Sequence, residues 1–185
     1  MSDIVYQAIA ALWLSLPALS ANPSAVIFGG GTPMDFGRTL GDGKRVLGDG
    51  KTWRGFIGGG AAGAFVGLIQ QLIAMKIGYF PIFSQDFLQA FFMVLILGYG
   101  ALLGDALGSF IKRRLGIGRG DKAFLLDQLT FLIVALFLLY IAFPSFFSRY
   151  FWNAPAMITL FVLTPLLHRI VNIIGYRMGK KEVPW

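Results

Sequence analysis

The hydrophobic residues of this chain form five long runs, and the charged residues are confined to short islands between them. The charge-free runs cover residues 4–34, 55–75, 87–104, 128–148 and 150–168. Each run is about as long as the roughly 20 residues that an α-helix needs to cross the hydrocarbon of a bilayer. They are continuously apolar, whereas the strands of a membrane β-barrel alternate in polarity. The pattern therefore predicts an all-α integral membrane protein with five transmembrane helices. We place these helices at about 4–28, 55–76, 87–112, 124–144 and 152–174.

The overall composition agrees with a membrane protein. Hydrophobic residues make up 56% of the 185 residues and charged residues only 14%, whereas soluble domains carry about 25% charged residues. The length is enough for one compact unit and too short for two ordinary domains. We therefore expect residues 1–185 to form a single transmembrane domain. The chain contains no cysteine, which excludes disulfides and thiolate metal sites.

The basic residues indicate how the helices are oriented. With five crossings, all but two of the 16 lysines and arginines fall on one side of the membrane, and only Lys76 and Arg149 fall on the other. Basic residues concentrate on the cytoplasmic side of cell-membrane proteins. We therefore predict an external N-terminus, with loops 29–54 and 113–123 and the C-terminal tail in the cytoplasm. The net charge of +7 then reflects membrane orientation, and we expect no nucleic acid partner.

Prolines and glycines inside the runs predict how the helices pack. Pro17 and Pro23 should bend or interrupt the first helix. Glycines recur at four-residue steps in the second and third helices, which lets helix backbones approach closely in lipid. These glycines are Gly59, Gly63, Gly67, Gly100, Gly104 and Gly108. We expect them to serve packing rather than ligand binding, and we expect the first helix to stand apart from the others.

The first cytoplasmic loop is long, polar and rich in glycine. Residues 29–52 read GGGTPMDFGRTLGDGKRVLGDGKT, in which LGDGK occurs at 40–44 and again at 47–51. A loop of this length is either functional or disordered. Its charged residues alternate with glycines rather than with serine or glutamine, which favours function over a slipped duplication. GDGKT is not part of a Walker P-loop, because the first glycine of that pattern would fall at Arg45 and no buried strand precedes it.

The strongest chemical signal is a pair of aspartates at the membrane boundary. Asp105, Ser109 and Lys112 lie at positions i, i+4 and i+7, on one face of the third helix. A glycine-rich turn follows, and Asp127 begins the next apolar run at a similar depth. An ionisable group at that depth is unfavourable unless it functions or is paired. The hairpin therefore brings two carboxylates together, either in an active site or in salt bridges to Lys112 and Arg113.

Two carboxylates without histidine or cysteine point to Mg²⁺, which prefers oxygen ligands and fills its shell with water and substrate phosphates. The polar loops add lysines, arginines and glycine amides that can face anions, so we predict a polyphosphate site. The residues that cluster there and could hold a triphosphate are Arg38, Thr39, Lys44, Lys51, Thr52, Lys112, Arg113 and Lys122. We interpret His168, the single histidine, as an interfacial residue rather than a general base.

Several segments within residues 21–60 and 98–131 resemble motifs of the CDP-diacylglycerol synthases. KTWRGFIGG at 51–59 is similar to their K-T/S-x-E-G-x-x-G-G segment, and GDALGSFIKR at 104–113 to their G-D-x-x-x-S-x-x-K-R segment. Asp121, after a glycine turn, resembles their K-D element, and Asp127 resembles the start of their final D-R-x-D. The stretch from Ala21 to Gly59 and the small five-helix size resemble the archaeal CDP-archaeol synthases more closely.

The resemblance implies cytidylyl transfer at a membrane. A lipid phosphate attacks the α-phosphorus of CTP, and pyrophosphate leaves. In the archaeal branch the lipid is the isoprenoid ether 2,3-bis-O-(geranylgeranyl)-sn-glycerol 1-phosphate, and the product is CDP-archaeol. This chemistry requires positioning, a metal and charge neutralisation, because the nucleophile is already a phosphate anion.

The resemblance also assigns roles to individual residues. It implies that Asp105, Asp127 and Lys112 are catalytic residues and that Asp105, Asp127 and Asp121 are the Mg²⁺ ligands. It adds Arg54 and Ser109 to the residues that bind the nucleotide. Two positions depart from the bacterial pattern, since Arg54 replaces a glutamate and residues 127–130 read DQLT, without a second carboxylate. A second metal would therefore have to share the carboxylates already named.

Two other functions fit parts of the sequence. A lipid-alcohol kinase of the dolichol or phytol type also resembles the K-T-x-x-G segment, and it would release CDP rather than pyrophosphate. A non-enzymatic transporter would need polar residues near the bilayer midplane, whereas helices two, four and five are free of charge there. For an enzyme acting on a lipid phosphate, we expect a hydrophobic groove lined by helices two to four, with helix one as its rim.

Overall fold

The computed structural model describes residues 3–118, 121 and 123–179, and these residues form six α-helices. The helices are α1 (Asp3–Phe28), α2 (Trp53–Ile77), α3 (Phe87–Arg114), α4 (Phe124–Ala142), α5 (Pro144–Tyr150) and α6 (Ala154–Arg177). Four of them, α1, α2, α3 and α6, are long and apolar enough to cross a membrane, and α4 contains a shorter apolar segment, Leu126–Ala142. Within the described residues, extended backbone pairing is limited to two isolated bridges. The all-helical prediction is confirmed.

The fourth apolar run divides into two helices at a proline. Helix α4 ends at Ala142, and Pro144 lies in the first turn of the short helix α5. A proline is tolerated there because the first turn needs no N–H donor, whereas inside a helix its ring would clash with the preceding turn. Asn153 then caps α6 by accepting a hydrogen bond from the Ala156 N–H at 2.9 Å, as is typical of asparagine at this position.

Helix α1 is continuous through Pro17 and Pro23, so the predicted interruption is wrong. Pro17 has no N–H to donate to the Trp13 carbonyl one turn earlier. The Gln70 side chain, from α2, donates to that carbonyl instead, at 2.7 Å. Side chains of neighbouring helices can satisfy a backbone group that proline frees in a membrane helix. The polar Gln70, buried within an apolar segment, thus has a structural role.

The two glycine rows bring two pairs of helices into close contact. On α2, a Cβ atom at Gly63 would come within 2.5 Å of the Pro17 carbonyl oxygen of α1. On α3, a Cβ atom at Gly104 would come within 2.5 Å of the Thr130 carbonyl oxygen of α4. Small residues allow this approach. The expectation that α1 stands apart is therefore wrong: it packs closely against α2, with residues such as Leu14 fully buried.

Of the four long apolar helices, α6 is the least buried. It contacts α1 and, to a smaller extent, α4, while α3 and α4 pack extensively on each other. This arrangement leaves a space between the C-terminal ends of α1, α3 and α6 and the N-terminal end of α4. The loop that joins α1 to α2 borders the same space.

Candidate active site

A single buried carboxylate organises the long loop between α1 and α2. Asp35 pairs with the Arg45 guanidinium, with an Nη2–Oδ1 distance of 2.7 Å. It also accepts hydrogen bonds from the backbone N–H groups of Gly37 at 3.1 Å and of Leu47 and Gly48 at 2.9 Å. The Arg45 guanidinium and these N–H groups hold the pKa of Asp35 below its ordinary value, although burial acts in the opposite direction. The loop is therefore a shaped element.

The end of α3 fixes this loop from the other side. The Arg114 guanidinium donates to the carbonyl oxygens of Lys44 at 3.1 Å and Arg45 at 2.5 Å, and it pairs with Asp42 at 2.8 Å. The Lys44 ammonium donates in return to the Arg114 carbonyl at 3.2 Å. A positive side chain bonded to the last carbonyls of a helix also interacts favourably with the helix dipole. The first LGDGK segment thus lies against the α3 terminus.

Lys51 reaches the first of the two predicted aspartates. The following residue, Thr52, caps α2 by accepting a hydrogen bond from the Gly55 N–H at 3.2 Å. The Lys51 carbonyl accepts a hydrogen bond from the Met34 N–H at 2.7 Å. With its backbone fixed in this way, the Lys51 ammonium pairs with the Asp105 carboxylate at 2.5 Å. The loop therefore delivers a lysine to the polar face of α3.

Lys112 of α3 pairs with the second aspartate, Asp127 of α4, at a place where the two helices are in close contact. A Cβ atom at Gly108 would come within 2.8 Å of the Thr130 hydroxyl on α4. Asp127 also accepts a hydrogen bond from the Ala123 N–H at 3.1 Å, at the start of α4. Both carboxylates have a lysine partner, and the partner of Asp105 comes from the loop rather than from α3.

A cavity of about 670 Å³ joins these groups. This volume lies in the range of small-molecule sites, about 300–1,000 Å³. Among the described residues, the basic and acidic side chains that line it are Lys44, Arg45, Lys51, Lys112, Arg113, Asp49, Asp105, Asp121 and Asp127. Because five of these groups are positive and four are negative, the cavity is lined by charges of both signs rather than by positive charges alone. Arg113 has no ion-pair partner in the described part of the chain, so its charge remains available to an anion.

The cavity contains most of the residues that the sequence singled out. It is lined by Lys44, Lys51, Asp105, Ser109, Lys112, Arg113, Asp121 and Asp127. Asp105, Ser109 and Lys112 share this wall, as their spacing on one helix face predicts. Among the residues that the structure describes, four other candidates do not line the cavity: Arg38, Thr39, Thr52 and Arg54. Thr52 is a helix cap, and the other three are exposed. Lys122 lies outside the residues that the structure describes.

Sequence reasoning missed Asp35 and Asn172, which the structure makes prominent, and it placed His168 at the membrane interface without assigning it to the site. Asp35 organises the loop, but nothing in the sequence distinguishes it from Asp42 and Asp49. His168 and Asn172, on α6, line the cavity. Their i, i+4 spacing is the same signal that identified Asp105 and Ser109, so periodicity could have found them.

The carboxylates fit a metal that takes most of its ligands from a substrate. Among the described residues, no three acidic, histidine or cysteine side chains are close enough to form an all-protein metal site. Asp105, Asp121 and Asp127 nevertheless line one cavity and offer oxygen donors only. Mg²⁺ commonly binds one or two carboxylates together with substrate phosphates and water. The donor set therefore suits Mg²⁺ and does not suit zinc or copper.

Comparison with known proteins shows the family of the chain. The family model described as CarS-like CDP-archaeol synthase matches residues 1–185. A CDP-archaeol synthase of Archaeoglobus fulgidus is 44% identical over 185 residues, covering 100% of both chains. Another, of Methanoculleus marisnigri, is 49% identical over 170 residues, covering 92% of this chain and 99% of that one.

A solved structure extends the similarity to the fold. It is described as an intramembrane enzyme for archaeal membrane lipids biosynthesis, and it is 38% identical to this chain. The two superpose with a TM-score of 0.66, covering 89% of this chain and 94% of the other. The motif resemblance is confirmed, and the chain belongs to the CDP-archaeol synthase family.

Proposed function

We propose that the chain is a membrane cytidylyltransferase that transfers CMP from CTP to 2,3-bis-O-(geranylgeranyl)-sn-glycerol 1-phosphate, giving CDP-archaeol and pyrophosphate. The family supports this reaction. The observation that carries the proposal to this chain is the cavity, which combines paired carboxylates, basic side chains and apolar walls. A nucleotide, a metal and a lipid phosphate require these three kinds of surface.

The basic side chains of the loop and of α3 are the proposed triphosphate ligands. Arg113 has no carboxylate partner among the described residues, and Lys44 is bound only to a backbone carbonyl in the contacts given above. Lys51 and Lys112 neutralise Asp105 and Asp127. When the nucleotide binds, these two ammonium groups would turn from the carboxylates to phosphate oxygens. Arg45 stays committed to Asp35 and keeps the loop in shape.

Asp105 and Asp127 would hold Mg²⁺, with Asp121 as a further oxygen donor at the cavity edge. Mg²⁺ held by these carboxylates would supply neutralisation of the phosphate charge of the leaving group. The close packing of α3 against α4 fixes the two carboxylates for this role. The helices can pack this closely because glycines of α3 face α4, so no side chains of α3 separate them there.

The chemical step needs no protein nucleophile. An oxygen of the lipid phosphate forms a bond to the α-phosphorus of CTP, and the bond from that phosphorus to the α–β bridging oxygen breaks. The electron pair leaves with pyrophosphate, whose charge the lysines and Arg113 neutralise. The enzyme therefore accelerates the reaction by placing two anions side by side in a site of opposite charge.

The proposed arrangement in the cell membrane has five spans, including α4, and an external N-terminus. The bias of basic residues supports it, since Lys76 and Arg149 are the only lysine and arginine residues that this arrangement places on the external side. The cavity then opens at the cytoplasmic surface, where CTP is available.

Labelled CTP tests the reaction. Purified protein in detergent receives Mg²⁺, the ether-linked lipid phosphate, and CTP labelled at either the α- or the γ-phosphorus. We expect the α-label in the lipid and one pyrophosphate for each product, with activity lost on chelation and restored by Mg²⁺. An ester-linked lipid phosphate in a parallel reaction measures tail selectivity. In a third reaction a lipid alcohol replaces the lipid phosphate, and transfer of the γ-label to it with release of CDP would instead establish a kinase.

A further inference from the structure

The wall of the cavity formed by α6 differs from the wall formed by α3. The α3 wall carries charged residues at i and i+7, Asp105 and Lys112. On the α6 wall, small or polar residues lie at positions i, i+4 and i+7, namely His168, Asn172 and Gly175. Among the residues that the structure describes, no aspartate, glutamate, lysine or arginine of α6 lines the cavity. The two arginines of α6 are exposed and do not line the cavity. The two walls therefore offer different surfaces to a bound molecule.

The imidazole on the α6 wall is held in place by contacts from two helices. The Asn172 Nδ2 lies 3.3 Å from His168 Nδ1, and the ring of Phe131, on α4, stacks on the imidazole with centroids 5.9 Å apart. Asn172 is buried. If Nδ2 donates in this contact, Nδ1 accepts and the Nε2–H of a neutral imidazole becomes a donor.

Apolar residues at the ends of α1 and α6 line the same cavity as His168 and Asn172 and are also exposed on the outer surface of the protein. Ile174 and Met178, at the end of α6, line the cavity, and their exposed fractions are 51% and 64%. Ile27, at the end of α1, also lines it and is 64% exposed. Between these helix ends the cavity is bordered by side chains that would contact lipid. An occupant of this side must be apolar where it leaves the cavity and polar where it meets His168.

We propose that His168 and Asn172 form the subsite for the phosphate of the acceptor lipid, whose chains leave the cavity between the C-terminal ends of α1 and α6. The inference rests on the proposed function. The charged α3 wall and the loop would hold the triphosphate, while the uncharged α6 wall orients the attacking phosphate by hydrogen bonds. The lateral opening differs from the groove expected between helices two to four, since α2 contributes no described residue to this cavity.

Two variants of His168 test the polar part of the subsite. His168→Phe keeps a ring against Phe131 and removes both ring nitrogens. We expect its KM for the lipid phosphate to rise about tenfold or more, the effect of one lost hydrogen bond to a charged group, with its KM for CTP changed less than about twofold. His168→Gln restores an N–H donor and should recover part of the loss. Equal effects on both substrates, or no effect on either, would overturn the subsite.

A matched pair of tryptophan variants tests the opening. Ile174→Trp places a large side chain at the cavity border, whereas Ile170→Trp places it on the same helix at a residue that is 53% exposed and does not line the cavity. Only Ile174→Trp should raise the KM for the lipid phosphate. If the two variants behave alike, the lipid chains take another path.

Binding of CTP, measured by calorimetry on each detergent-solubilised variant, separates this inference from loss of fold. We expect CTP affinity within about twofold of wild type in all four variants. Failure of the proposed function would appear differently, as a wild-type protein that makes no CDP-lipid. A wild-type enzyme that is active while His168→Phe keeps a normal KM for lipid would contradict only the subsite.

Discussion

At the scale of single residues, Asp35 shows how one carboxylate can shape a glycine-rich loop. Its side chain is buried and meets one guanidinium and three backbone N–H groups. A buried charge is tolerated when it is paired and hydrogen-bonded in this way. The loop in turn supplies Lys51 and Lys44 to the cavity. Asp35 is therefore a positioning residue, although it does not line the cavity itself.

Asp35→Asn should loosen the loop without unfolding the helices. The asparagine amide would place an N–H group against the guanidinium and backbone N–H donors that bind a carboxylate oxygen in the wild type. We expect backbone amides of the loop to exchange with deuterium at least about tenfold faster, with helix α3 unchanged. Asp42→Asn, which breaks an exposed pair in the same loop, is the control and should have a smaller effect. Equal exchange in both variants would refute the role of Asp35.

The same carboxylate gives the loop a pH dependence. Because its pKa is depressed on folding, the stabilisation is complete above the ordinary value of 3.8 and is lost as the pH falls below it. Loop protection in the wild type should therefore be constant between about pH 5 and 8. A loss of protection within that range would implicate another group.

At the scale of elements, the sequence predicted where apolar helices occur but less well how they pack. Charge-free runs identify membrane helices because the bilayer imposes their length and composition. Pro17 was expected to bend or interrupt α1, and no local rule could show that Gln70 would satisfy the freed carbonyl of Trp13 in a continuous helix. The glycine rows indicated close packing but not the partner of each row, since that depends on small residues of another helix.

The residues of the site also divide into those that local sequence rules predict and those whose contacts depend on the fold. Asp105, Ser109 and Lys112 share a helix face, so their spacing alone brings them to one wall of the cavity. Thr52 matched a motif, and its observed contact is a helix cap. Lys51 was predicted in the site, but its pairing with Asp105 depends on the folded loop and spans 54 residues of sequence. Contacts of this kind require the fold.

At the scale of the whole molecule, the absence of cysteine from the chain makes the proposed topology testable by labelling. Gly41→Cys in the loop between α1 and α2, Lys76→Cys at the end of α2 and Arg149→Cys near the end of α5 each place one thiol at an exposed position. In intact cells, an impermeant maleimide should label positions 76 and 149, and position 41 only after permeabilisation. Labelling of position 41 in intact cells would reverse the orientation. Protection of position 149 would remove α4 from the membrane spans.

The central claim is that the cavity between α3, α4, α6 and the loop is the site of cytidylyl transfer, and turnover of Asp105→Asn tests it most directly. Asparagine keeps the size of the side chain and removes the charge that would bind Mg²⁺. Asp86→Asn is the matched control at the opposite end of α3, where Asp86 caps the helix and asparagine caps equally well.

Production of CDP-lipid from CTP should fall by two or more orders of magnitude, about 3 kcal/mol of transition-state stabilisation, in Asp105→Asn and stay near wild type in Asp86→Asn. Both variants should keep the thermal unfolding transition of the wild type within a few degrees. Near-normal turnover in a folded Asp105→Asn enzyme would contradict the account and leave the aspartate–lysine pairs with a structural role only.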